Sequence, residues 1–365
     1  MSGLILVINP GSTSTKLALF QDEACIVSET IYHDSLELAA YPRILDQLAL
    51  RSAAVRSWLG AQLASLASRN ELSRLDAIAA RGGLLHPLPS GTFLIDDVML
   101  AELRSPETRE HASNLAALIA GDLAAEHDVS AYVVDPVCVD EMHDVARISG
   151  LPELPRISLS HALSMKSAAR RAARDLGQRY EDLTLVVVHL GGGISVSAHL
   201  GGRMIDVNNA NDMGPFSPER VGTLPLTGLV GLVNSTPLTE LRRRLWGKGG
   251  MVAHLGTSDA REVERRIAEG DERAELIYRA MAYQVSKEIG AMAAALGAAP
   301  DAIVLTGGLA YSPLFTDQVS RRVSFIARII IYPGDEEVEA LALRTLRVLR
   351  GEEAAPKYGD AITSG

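Results

Sequence analysis

Short apolar runs alternate with longer amphipathic stretches along the chain, and most of the apolar runs end in a polar or glycine-rich turn. Leu4 to Ile8 is continuously apolar, residues 9–16 are polar, and Leu17 to Phe20 is apolar again, which predicts strand, turn and strand. Residues 43–69 carry apolar positions at helical spacing, and Leu75 to Ala80 predicts a strand that enters Arg81-Gly82-Gly83. Ser105-Pro106-Glu107 predicts the start of a helix reaching Glu126. Ala131 to Val134 predicts a short strand closed by Asp135-Pro136, because proline cannot continue a sheet ladder.

Pro152 and Pro155 predict a domain junction, after which Ser160 is placed to cap a helix that begins near His161. Leu185 to Leu190, the triplet Gly191-Gly192-Gly193 and the run from Ile194 to Leu200 repeat the strand, turn and strand of the N-terminus. A long Asn-, Gly- and Pro-rich segment follows over residues 201–220, then an apolar helical stripe over 274–297. Ile303 to Leu305 leads into Thr306-Gly307-Gly308. Ile329 to Ile331 precedes a Pro333-Gly334 turn, the acidic residues Asp335, Glu336, Glu337 and Glu339, and a last helix over 340–350. Strands and helices in this alternation predict an α/β fold.

The turns carry the candidate chemistry. Ser12, Thr13, Ser14 and Thr15 offer hydroxyl and backbone donors and Lys16 offers a point charge, a set suited to phosphate. A Walker A loop is excluded, because it requires a second Gly followed by Lys-Ser/Thr and then a helix. The glycines at 191–193 remove every Cβ from the second turn, so backbone can approach an anion closely. Each turn alone also reads as an ordinary turn, the commonest fate of paired glycines after a strand. The ordered set of all three is far harder to reach by accident.

Two phosphate hairpins in successive halves, followed by a Gly-Gly turn for adenosine, resemble the actin, hexokinase and Hsp70 superfamily. The strings Asn9 to Lys16, Arg81 to Leu85, Val134 to Val137, Ser160 to Leu163, His189 to Gly193, Gly214 to Arg220 and Leu305 to Ser312 resemble the acetokinase family over residues 3–351. His189-Leu-Gly-Gly-Gly lacks the Asn that acetate kinases typically carry before the last Gly, and His161 is the one histidine in the 158–166 segment. Both features lie on the butyrate kinase side of that family.

The resemblance implies duplicated ribonuclease H-like, actin-like ATPase domains with an interdomain cleft. Residues 1–155 would form the first, completed by a C-terminal helix over 336–351, and residues 156–335 the second, with the nucleotide site. Residues 352–365 would be a frayed polar tail. It also implies phosphoryl transfer between ATP and a short-chain carboxylate such as butyrate, giving an acyl phosphate and ADP. Arg81 and Arg220 would hold the carboxylate and the equatorial oxygens, with His161 donating to the same oxygens and Asp135 orienting Arg81 or a metal-bound water. Asn9, Ser12, Ser14, Lys16, His189, Gly191, Gly192 and Gly193 would line the triphosphate, and Thr306, Gly307 and Gly308 would meet the nucleoside. Mg²⁺ would bridge the phosphates largely through water, with Glu337 or Glu339 in its outer shell. Small and apolar residues beside Arg81 would leave room for a longer acyl chain. One methylene discriminates only about 10- to 200-fold, so isobutyrate, propionate and acetate stay open as acceptors. An ATP-driven switch of the actin or Hsp70 type is the alternative of a different class. It has no use for the paired arginines and His161, since a water nucleophile needs a positioning base instead.

Composition narrows the partners. At 365 residues the chain exceeds the roughly 250–300 at which one core stops growing. A net charge of −10 argues against nucleic acid or an anionic membrane as partner. It also requires cations to be concentrated wherever ATP and a carboxylate meet. With 47% hydrophobic residues and a mean hydropathy of +0.12 there is ample material for two cores, and the apolar stretches are each too short to span a bilayer. Cys25 and Cys138 show neither metal-ligand nor redox spacing, which fits a cytoplasmic location. The resembling enzymes are dimers or larger, which implies a homo-oligomer.

Overall fold

The computed structural model describes residues 3–69, 71, 74–334 and 336–363. Asp335, one of the acidic residues before the last long helix, lies outside them. The chain divides into two compact units, Met1–Val139 with Glu336–Gly365, and Asp140–Asp335. Residues 140–155 thus belong with the second unit, ahead of the junction expected at the prolines.

The first unit is built on a sheet of β1 (Leu4–Pro10), β2 (Ser14–Gln21), β3 (Ala24–Tyr32), β4 (Ala77–Arg81), β5 (Thr92–Leu94) and β6 (Ser130–Val134) in the order β3-β2-β1-β4-β6-β5. β1, β2 and β3 are antiparallel, whereas β1, β4 and β6 run parallel. Helices Asn114–His127 and Glu337–Leu349 both pack on β1, β4 and β6. β1 is buried at all of its positions, which explains its continuous apolar run in place of an alternation.

The second unit repeats the plan with β7 (Thr184–Leu190), β8 (Ile194–Leu200), β9 (Arg203–Val207), β10 (Ala302–Gly307) and β11 (Ile329–Pro333), ordered β11-β10-β7-β8-β9. Again three antiparallel strands are followed by parallel ones. Setting β5 aside, both sheets have their strands in the same sequence, the duplicated ribonuclease H-like arrangement. Here the period-2 pattern is explicit. Val186, Val188 and Leu190 share a core with Ile277, Met281 and Ile289 of helix Glu272–Leu296. Leu185 and Val187 face Ala168, Ala169 and Ala172 of helix Ala162–Asp175.

Four local expectations are corrected. Ser105 does not open a helix but occupies the C-cap of helix Asp97–Arg104, whose own cap is Asp96, and Thr108 turns the chain back by donating to the Glu102 carbonyl at 2.5 Å. His161, not Ser160, stands at the N-cap of its helix, without a side-chain cap bond. Residues 203–207 of the Asn-, Gly- and Pro-rich segment form the edge strand β9.

The tail after Gly351 is docked along the described residues instead of frayed. Glu353 accepts from Thr92 Oγ1 at 2.8 Å and from Arg344, Leu94 N donates to the Pro356 carbonyl at 2.9 Å, and Tyr358 is fully buried. Its hydroxyl donates to Glu102 at 2.5 Å. Burial and that carboxylate push the phenol far above its usual range, so it remains a donor. Tyr358→Phe leaves Glu102 short of a partner and is expected to lower unfolding stability by about 1.5–3 kcal/mol, read as a lower urea midpoint at unchanged slope.

Candidate active site

In the first unit, register sets the site. Ile8 pairs with Ala80 across β1 and β4, so Arg81 at the end of β4 lies beside Asn9. Arg81 Nη1 is 2.9 Å from Glu337 Oε2 and 3.4 Å from Asn9 Oδ1, while Asn9 Nδ2 donates to the same Glu337 oxygen at 2.8 Å. Glu337 is the first residue of the last long helix, so the return of the chain to this unit supplies the carboxylate that orients Arg81. Lys16 is paired with Asn9 across the hairpin, and Ser12 is exposed and Ser14 half-buried at the turn.

Asp135 is almost wholly buried, at a left-handed φ of 37° that strains a non-glycine residue. It accepts from Ser90 Oγ at 2.6 Å and Gly91 N at 2.9 Å, and lies 3.7 Å from Arg344. It therefore fixes the 90–91 turn, and the orientation of Arg81 rests on Glu337 and Asn9. Gly82 and Gly83 themselves are closely packed by their neighbours. A Cβ at Gly82 would lie 2.2 Å from Pro136 Cβ, and one at Gly83 2.2 Å from Asn114 Oδ1. These glycines serve close backbone packing.

In the second unit the hairpin turn, the helix after Ser160 and the long segment before Arg220 converge. The His161 and His189 rings stack with centroids 4.0 Å apart and an interplanar angle of 13°. Each ring is held at Nδ1, His161 by Ser195 Oγ and His189 by Ser164 Oγ, both at 3.0 Å. Gly193 backs onto His161 and Arg220. Ser217 Oγ donates to the Gly192 carbonyl at 2.6 Å, and Glu219 N donates to it at 3.1 Å. Arg220 is aimed by Asn211, whose Oδ1 accepts from Nε at 3.1 Å and whose carbonyl accepts from Trp246 Nε1 at 2.9 Å.

A cavity of about 590 Å³ adjoins this turn, lined by Gly191, Gly192, Glu219, Arg261, Gly308 and Tyr311 among others, within the range of small-molecule sites. Gly308 lines it directly. Thr306 Oγ1 instead donates to the Gly334 carbonyl at 3.0 Å, tying β10 to the end of β11. Gly307, at φ 94°, allows the Leu190 backbone to pass, since a Cβ would sit 2.5 Å from the Leu190 carbonyl oxygen. The Ser258 to Glu264 rim was not anticipated. Its one sequence signal is a helix start, Asp259, which caps helix Ala260–Ala268 and holds the Arg261 guanidinium at 2.8 Å.

Among the described residues, no group of three or more His, Cys, Asp and Glu could hold a metal ion. Glu337 is engaged with Arg81 and Asn9. Glu339, two residues on and thus on another face of the helix, is exposed. Among the described residues these two carboxylates are not part of a metal cage.

Residues 156–323 match the model of the acetokinase family. Over 359 residues the chain is 51% identical to the probable butyrate kinase 2 of Caldanaerobacter subterraneus subsp. tengcongensis, covering 97% of this chain and 99% of that protein. It is 50% identical to butyrate kinase 2 of Clostridium acetobutylicum over 358 residues, with the same coverage. Its fold is similar to that of the Porphyromonas gingivalis acetate kinase, with a TM-score of 0.73 at 21% identity over 95% of this chain and 100% of that one. A Francisella tularensis propionate kinase gives 0.70 at 18% identity over 94% and 98%. Half-identity to the two curated relatives along nearly the whole length, together with the duplicated fold, places this chain in the acetokinase family.

Proposed function

We propose that the protein transfers the γ-phosphoryl group of ATP reversibly to a short-chain carboxylate, with butyrate as the acceptor. The observation that carries this reading is the half-identity over 97% of the chain to proteins named butyrate kinase 2. The side chains support it chemically. A short-chain acid has a carboxyl pKa close to that of Glu, about 4.3, so it reaches the enzyme ionised and needs no base. A carboxylate oxygen forms a bond to the γ-phosphorus, the bond to the β,γ-bridging oxygen breaks, and ADP leaves with that electron pair. Protons need not move.

The difficulty is repulsion between anions, and cations or donors aimed at the transferring oxygens answer it. Arg81, oriented by Glu337, is assigned to the carboxylate. Arg220, oriented by Asn211, and the His161 ring, held by Ser195, are assigned to the phosphoryl oxygens. The cavity beside Gly191 and Gly308 is assigned to the nucleoside. ATP is read as arriving with its own magnesium, which suits a protein without a carboxylate cage among its described residues. The exposed apolar side chains Leu226, Val230 and Val233 support a homo-oligomer.

Formation of acyl hydroxamate from acetate, propionate, butyrate and isobutyrate with ATP and Mg²⁺ tests the reading. Four-carbon acids are expected to be turned over about 10-fold or more faster than acetate, within what two methylenes can discriminate. A preference for acetate moves the acceptor assignment, and ATP hydrolysis without hydroxamate from any acid overturns the reading altogether.

A further inference from the structure

The most unusual buried group outside the residues assigned above is Arg51, on helix Leu48–Ser68. Its residue is fully buried, yet among the described residues it has no carboxylate partner. Its guanidinium is spent on the first hairpin instead. Nη1 donates to the Gly11 carbonyl at 3.0 Å, the Ser14 carbonyl at 2.9 Å and Thr15 Oγ1 at 3.3 Å, and Nη2 donates to the Ser12 carbonyl at 2.7 Å. Gln47 Oε1 accepts from Nε at 3.2 Å and Nη2 at 3.1 Å. The remaining turn carbonyl, that of Thr13, accepts from His33 N at 2.9 Å. Every carbonyl from Gly11 to Ser14 is thereby bonded. The N–H groups of Ser12 and Thr13 donate no hydrogen bond among the described residues, and both residues are exposed.

We propose that Arg51 is the positioning residue of this hairpin: it ties the carbonyls down so that the turn presents only donors to the phosphates, and sets an unpaired positive charge beneath them. The charge matters as much as the tether. A buried guanidinium without a counter-ion is costly, and an anion arriving over the turn offsets that cost, so the free protein is arranged to favour phosphate. Backbone N–H groups converging in a turn form an anion-binding concavity, and a fixed cation behind them strengthens it in a low-dielectric setting.

This rests on ATP being the substrate, as proposed above. Calorimetric titration of wild type, Arg51→Lys and Arg51→Gln with ATP, tripolyphosphate and adenosine tests it. Arg51→Lys keeps the charge but cannot reach all of these acceptors. It is expected to weaken ATP and tripolyphosphate about tenfold, the loss of one charge-assisted hydrogen bond, and Arg51→Gln should weaken both further. Adenosine should stay within about twofold in both, a selectivity that general loosening of the fold would not produce. Folded variants that bind tripolyphosphate as wild type does overturn the proposal while leaving the ATP reading intact. A wild type that binds neither ATP nor tripolyphosphate overturns both. Should neither Arg51 variant fold, Gln47→Leu, which leaves Arg51 in place but removes an acceptor on its far side, decides the matter. About threefold weaker tripolyphosphate binding supports the tether, and unchanged binding overturns it.

Discussion

Arg220→Ala is expected to lower kcat for acyl phosphate formation by a factor of about 10³ or more, the scale of an arginine that stabilises a phosphoryl transition state. The substitution is a clean one. The backbone of Arg220 is fixed independently of its side chain, its N–H donating to Ser217 Oγ at 3.0 Å and its carbonyl accepting from Ser217 N at 3.0 Å, so alanine should leave the loop in place. Because the guanidinium is assigned to charge that develops as the phosphoryl group moves, kcat and kcat/KM should fall together. Arg220→Lys should recover little. Lysine cannot reproduce the Nε bond to Asn211 Oδ1, and without it the cation is no longer aimed. Steady-state hydroxamate kinetics with the four acids decides between roles. A kcat within about tenfold of wild type, with a raised KM for the acid, would reassign Arg220 to ground-state binding. Arg81 makes a poorer test, because removing it leaves Glu337 buried without its cation.

What could be read from the sequence was what is local to it. The strand, turn and strand around Asn9 to Lys16 and the one around Gly191 to Gly193 each lie within about twenty residues, and their patterns are unambiguous. Arg81 at a strand end and His161 at a helix start were marked by neighbouring glycine and serine. The partners of these residues were not legible, because they come from far along the chain. Glu337 lies 256 residues from Arg81, and Arg344, against Asp135, comes from the same last helix. Space is also invisible to sequence. Nothing in the sequence shows that Pro136, Val133 and Asn114 crowd Gly82 and Gly83. Cations in helical runs are ordinarily solvated at their charged ends. That rule fails at Arg51 and Lys166, whose acceptors are turn carbonyls and a carboxylate outside their own helices. The docking of the tail after Gly351 is hidden for a related reason. Its polar residues find partners on the 92–102 segment that no periodicity could signal.

Lys166→Met should destabilise the second unit by about 3–5 kcal/mol, the penalty for stranding one member of a buried ion pair. Lys166 is fully buried, with Nζ 2.5 Å from Glu141 Oε2 and 3.0 Å from the Gly202 carbonyl, and the same carboxylate oxygen accepts from Met204 N at 2.8 Å. Removing the ammonium takes the Lys166 cation from the buried Glu141 carboxylate. Lys166→Met combined with Glu141→Leu should recover much of the loss, since a buried pair replaced by apolar side chains is often neutral. A single variant within about 1 kcal/mol of wild type would show that water or relaxation already shields the pair. Acid sensitivity provides a second readout. His199, wholly buried between Tyr180 OH and Ser197 Oγ at 2.7 Å each, is held well below the ordinary histidine pKa, first by burial and then by the charges of Lys166 and Arg170. Below about pH 6.5 the unfolded chain takes up a proton that the folded one refuses, so stability is fully present above that pH and falls as the pH drops toward the depressed folded value. The slope from this residue should not exceed about 1.4 kcal/mol per pH unit. In Lys166→Met one repelling charge is gone, so His199 should protonate in the folded state at a higher pH and the decline should level off sooner. Urea unfolding followed from pH 8 to pH 5 would show it, and a variant curve parallel to wild type throughout would mean that the Lys166 charge does not act on the histidine.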